Sequence, residues 1–143
     1  SGSAIANVFE ILGVGGVTTS VSCNILTISV VNAGFTWNVV TSAMNPITLS
    51  PENGYICTGV LPVNFILPAS ASVGDIYWIK GKTNLWTLAQ NAFQTVSLGV
   101  VTTTTGVTGN ISATQVKDAM EILCVTANLE FEVLDSIGNP IFV

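Results

Sequence analysis

From Thr18 onward apolar residues recur at every second position within short runs, and that period admits few architectures. Residues i, i+2 and i+4 line one face of a strand, so the pattern describes extended chain with one side turned to a core. Val21, Cys23 and Ile25 alternate with Ser22 and Asn24. The phase then flips, and Leu26, Ile28 and Val30 alternate with Thr27 and Ser29. A one-residue slip sends side chains to the opposite face, so Ile25-Leu26 is read as a bulge or a place buried on both faces. Further strands are expected at Thr36–Val40, Ile47–Leu49, Tyr55–Thr58, Val63–Leu67, Asp75–Lys80, Leu85–Ala89, Thr95–Val101, Met120–Val125, Glu130–Leu134 and Ile141–Val143. Asn32-Ala33-Gly34, Asn45-Pro46, Pro51-Glu52-Asn53-Gly54, Gly74-Asp75 and Gly138-Asn139-Pro140 supply turns between them. Short strands punctuated this often predict an all-β fold, a β-sandwich or an interlocked β-barrel-like module.

Three segments depart from the pattern. Ile5, Val8, Phe9 and Leu12 fall at i, i+3, i+4 and i+7, which favours a helix over a short strand for Ala4–Leu12, and Gly13, Gly15 and Gly16 then end it. Residues 1–16 are therefore expected to form an N-terminal arm with a flexible connector. Residues 17–143 are expected to form the β domain, with two small modules, 17–50 and 51–143, as the subdivision to test. Thr102–Thr105 and the following Gly-Val-Thr-Gly read as an exposed loop. Val116, Met120 and Leu123 fit one helical turn, although the alternation of Met120, Ile122 and Cys124 favours a strand.

Charge narrows the function classes. Only 8% of the residues are charged, against about a quarter of a typical domain. A monomer ordinarily keeps itself apart with mixed surface charge, so such a chain is expected to bury part of its outside against copies of itself. The only bases are Lys80, Lys82 and Lys117, against eight acids. Three lysines cannot neutralise a nucleic-acid backbone, nor favour an acidic membrane surface. No stretch of about 18 residues is continuously apolar, so no membrane insertion is expected.

Catalytic and metal chemistry find little support. The chain has no histidine to activate a serine or cysteine, and no Ser-x-x-Lys spacing replaces it. Glu130 and Glu132 alternate with Phe131 and Val133, as the wet side of a half-buried strand does. Cys23, Cys57 and Cys124 are widely spaced, without a Cys-x-x-Cys pair, which argues against zinc; they read as buried thiols or as one disulfide with a free thiol. Asp135–Asn139 reads as a turn more readily than as a calcium loop. Gly13–Gly16 lacks the residues and context of a phosphate loop. No catalytic residue, cofactor or metal is expected. Trp37, Trp78 and Trp86 are the largest apolar surfaces, and Gln90, Asn91 and Gln94 form a dense amide cluster after Trp86. These six are the candidate glycan or interface contacts; the alternative is core anchors and a turn held by amides.

The run Phe65-Ile66-Leu67-Pro68-Ala69-Ser70-Ala71-Ser72-Val73-Gly74-Asp75-Ile76-Tyr77-Trp78-Ile79, with Leu85–Gly99 and Glu121–Asn139, resembles a module recurring in phage tail-fibre and receptor-binding proteins and in bacterial fibrous surface proteins. The resemblance runs from about Gly34 to the C-terminus and omits the glycine-rich region Gly13–Val31. It implies a trimeric or otherwise oligomeric β module, extracellular, at a cell surface or on a virion, structural and in some members bound to a glycan or receptor. It brings no catalytic residue. A second expectation is a filament or capsid-like lattice built by strand exchange, with Ile5, Val8, Phe9 and Leu12 as the assembly arm. A third is a monomeric carbohydrate-binding module.

Overall fold

The computed structural model describes residues 17–22, 25–30 and 34–143. The chain divides into two compact units, Ser1–Gly34 and Phe35–Val143. In the first, β1 (Val17–Ser22) and β2 (Ile25–Val30) pair antiparallel, from Val17 opposite Val30 to Ser22 opposite Ile25. The flip in apolar phase therefore lies where β2 begins, and is not a bulge inside one strand. The expected arm with Ile5, Val8, Phe9 and Leu12 lies outside the described residues, as does Cys23.

The second unit is all-β, with two mixed sheets. Its first six strands are β3 (Thr36–Val40), β4 (Ile47–Thr48), β5 (Asn53–Cys57), β6 (Val63–Ile66), β7 (Ile76–Gly81) and β8 (Trp86–Ala89). They alternate between the sheets: β3, β5 and β7 lie side by side and parallel in one, and β4, β6 and β8 in the other. Each turn of chain thus lays one strand on each sheet, and successive turns stack in register. Parallel neighbours need a long crossover, and here the crossover carries the strand of the opposite sheet. A period of two is the same for parallel and antiparallel strands, so this winding is not written in the alternation.

The remaining strands close the stack. They are β9 (Thr95–Leu98), β10 (Val101–Thr102), β11 (Asn110–Ser112), β12 (Ala119–Thr126), β13 (Glu130–Ile137) and β14 (Ile141–Phe142). The larger sheet runs β10-β9-β13-β12-β7-β5-β3 and the smaller β14-β11-β8-β6-β4. Ala119–Thr126 is a strand with Met120, Ile122 and Cys124 buried, so the helical alternative is set aside. The single strand expected over Thr95–Val101 is two, because Gly99 turns the chain at a φ of 58° that other residues avoid. The loop after Thr102 is only partly exposed: Thr103 is buried, and its hydroxyl accepts a bond from the Val96 N–H at 2.9 Å.

One core takes side chains from both sheets. Tyr55, Cys57, Tyr77, Ile79, Met120 and Ile122 come from the larger, Phe65, Trp86, Leu88 and Ile111 from the smaller. Tyr55 packs on Phe65 across the gap with ring centroids 5.3 Å apart. Asparagines tie one turn to the next along the bends. Asn45 donates to the Pro62 carbonyl at 3.0 Å and accepts from the Asn64 N–H at 2.8 Å, and Asn84 donates to the Leu61 carbonyl. Without them these carbonyls would lack partners at a stacked edge.

Cys57 and Cys124 are free and buried. Burial pushes the Cys57 thiol up to about 12 and raises Cys124 as well. Tyr77 is raised, first by burial and then by the Asp75 carboxylate. An acid held protonated in the folded state stabilises it fully below its unfolded pKa, near 9 for a thiol, and that contribution is lost as pH rises towards about 12. Urea midpoints should therefore be level from neutrality to about pH 9 and fall beyond it. Mass-resolved alkylation at neutral pH should leave Cys57 and Cys124 unlabelled until denaturant is added; rapid labelling of either in the native protein would contradict this burial.

Candidate functional site

The sequence-predicted contacts fall into two groups. Trp86 is fully buried and its Nε1 donates to the Asp118 carbonyl at 3.0 Å. Gln90 and Gln94 are buried beside the bend after β8. Gln90 Nε2 donates to the carbonyls of Gln94 and Thr104 at 2.6 and 3.2 Å. Gln94 Nε2 donates to the Pro68 carbonyl at 2.8 Å, while its Oε1 accepts from the Asn91 N–H at 2.8 Å. Asn91 Nδ2 donates to the Leu67 carbonyl at 2.6 Å. The amides thus hold bends together from inside. Trp86 shares its strand face with Leu88, so it anchors the core.

Trp37 and Trp78 come together on the outer face of the larger sheet, with Phe35 as a third ring that sequence reasoning left out. Trp37 is 49% exposed. Ring centroids are 5.4 Å apart for Phe35 and Trp37, 6.2 Å for Phe35 and Trp78, and 6.0 Å for Trp37 and Trp78, all edge to face. Such angles suit the ring quadrupoles. Register explains the meeting: Trp37 lies opposite Gly54 on β5, and Gly54 opposite Trp78 on β7. A Cβ on Gly54 would stand 2.5 Å from Trp37 Cε3 and 2.8 Å from Phe35 Cε1. The glycine is therefore the floor on which two rings lie. A glycine beside an alternating apolar run is a sign of close approach, and Gly54, next to Tyr55, is such a glycine.

The row continues. Glu121 on β12 lies opposite Trp78, and Asp135 on β13 opposite Glu121. Lys80, two residues beyond Trp78, donates Nζ to the Lys117 carbonyl at 2.6 Å. At the far end of the face a cleft of about 360 Å³ is lined by Thr95, Ser97, Thr102, Val125, Glu130 and Glu132. Ser97 and Thr102 share a hydroxyl bond at 2.9 Å. One sheet face therefore grades from aromatic to hydroxyl and carboxylate. Among the described residues, no group of three or more His, Cys, Asp or Glu side chains is placed to hold a metal ion. No helix among them is long and apolar enough to cross a membrane.

Among the described residues, no further strand pairs with the edge beside the rings. Within this unit β3 is terminal in the larger sheet. The Thr36 N–H donates to Glu52 O and the Val40 carbonyl accepts from Thr58, so Thr36, Asn38 and Val40 face β5. By alternation the backbone groups of Trp37 and Val39 point to the open side. Natural edges carry charge, proline or a bulge against pairing with another chain. No charged residue occurs anywhere between Glu10 and Glu52.

Gly54→Ala should displace the Trp37 indole, at a cost of about 1–3 kcal/mol. A change in near-ultraviolet circular dichroism with an unchanged far-ultraviolet spectrum would register it; identical spectra would deny the contact. Gln94→Met, of similar length, should cost about 1–3 kcal/mol in denaturant unfolding, because it leaves buried groups of the bend unpaired. The chain matches none of the known family models, and no curated protein matches it either.

Proposed function

We propose that this chain is a non-catalytic, self-assembling structural module of an extracellular fibre or virion, forming homo-oligomers through the open edge of β3. The observation that carries the reading is a five-residue edge strand in a charge-free segment that runs from Ile11 to Pro51. Strand addition gains a full set of main-chain hydrogen bonds without needing charged side chains. A contact between this edge and a different edge of the next copy closes into a ring, here a trimer, or continues as a filament. The two facing sheets serve as a sandwich-like block with β3 as the terminal strand of the larger one. Assignment to a fibre or virion is supported by the tail-fibre-like runs at Phe65–Ile79, Leu85–Gly99 and Glu121–Asn139.

Val39→Pro tests the edge. Its N–H points to the open side, so proline removes a donor there while leaving the β5 pairing intact. Light scattering should show a trimer or longer assembly for the natural chain, and a folded monomer for Val39→Pro and for Val39→Lys. Electron micrographs distinguish the discrete ring from the filament. A natural chain monomeric at tens of micromolar would sink the proposal, and assembly that survives both variants would remove β3 from it.

A further inference from the structure

We infer that the outer face of the larger sheet binds a neutral oligosaccharide along the row Trp37, Gly54, Trp78, Glu121 and Asp135. The row is set by strand register. Neighbouring strands are about 4.8 Å apart, so its five positions span about 19 Å, the length of a short chain of sugar rings. At one end the aromatic trio offers exposed ring surface to the apolar face of a pyranose, and Gly54 keeps that floor low. Immediately beside it stand two carboxylates.

Those carboxylates decide what covers the face. Glu121 and Asp135 lie directly opposite each other across β12 and β13, an arrangement that costs stability when nothing lies between them. The base on the adjacent strand, Lys80, is turned to the Lys117 carbonyl. A second copy seated here would bury like charges against one another, and interface cores are depleted of charge. A saccharide supplies what the pair lacks, namely hydroxyl donors whose bonds to ionised carboxylates are of the strong kind. Glu130 and Glu132 in the cleft further along extend the same preference. Four acids on one face repel sialylated and sulfated chains, so the ligand is uncharged. The row begins on β3 itself, at Trp37, but it uses the side chain that stands out from the sheet, whereas the proposed assembly uses main-chain groups that point along it.

The full chain is applied to an array of neutral, sialylated and sulfated oligosaccharides, and the strongest neutral binder is then titrated against tryptophan fluorescence. Neutral chains should bind, and anionic extension of the same chain should weaken binding. Trp37→Ala and the isosteric Glu121→Gln should each raise Kd about tenfold, while light scattering of Glu121→Gln stays that of the natural chain. No binding to any neutral chain, preference for anionic chains, or affinity untouched by Glu121→Gln would each overturn the inference. Capture of a lysine-rich peptide competing with the sugar at the same residues would likewise assign the face to a cation instead.

Discussion

The packing of inward side chains between two sheets, with Tyr55 on Phe65 at its centre, is the interaction on which the rest depends. No strand here could bury its apolar face within its own sheet. Each turn of chain therefore has to visit both sheets, because the inward residues of the larger sheet share one core with those of the smaller. That requirement makes the strands within each half parallel, and it fixes the bends where the chain crosses. Burial of apolar area supplies the main driving force.

Bends are where such a stack is weakest, since carbonyls there leave the ladder. The molecule answers with amides in place of charges. Asn45, Asn84, Asn91, Gln90 and Gln94 each donate to a carbonyl of a neighbouring bend. A neutral amide can be buried with its hydrogen bonds made, whereas an ion would carry a desolvation cost several times larger. The low charge content thus has a structural origin as well as a consequence for the surface. Asp118 is the buried exception, and its carboxylate accepts from the N–H groups of Thr114 and Gln115 at 2.8 and 3.1 Å.

Strand positions other than β11, whose three residues follow a glycine-rich loop, were legible because parity is local. Trp78 shares its parity with Lys80 and opposes Tyr77 and Ile79, so its outward placement follows from β7 alone. Trp86 shares parity with Leu88 and goes inward. Parity could not distinguish parallel from antiparallel partners, so the winding between sheets and the meeting of Trp37 with Trp78 stayed hidden. Both depend on which strand lies next to which, across 24 residues in the register of Gly54 with Trp78. Phe35 lies just before its strand and was missed for the same reason. Gly99 was a readable interruption of an apolar run, and its positive φ splits that run in two.

Parallel sheets usually have both faces covered, yet β3, β5 and β7 turn Trp37, Val39, Ile56 and Trp78 outward. Stability alone does not call for this, since the core is complete on the inner side. Nor does generic stickiness account for it, because the same row runs directly into Glu121 and Asp135. A surface selected only to associate would continue the aromatic character across β12, where Leu123 shows that apolar residues are accommodated. The edge and the face therefore separate into different tasks. The edge of β3 offers main-chain groups without side-chain chemistry, which suits another strand; the face offers rings beside paired acceptors, which suits a ligand that is apolar on one side and rich in donors at its rim.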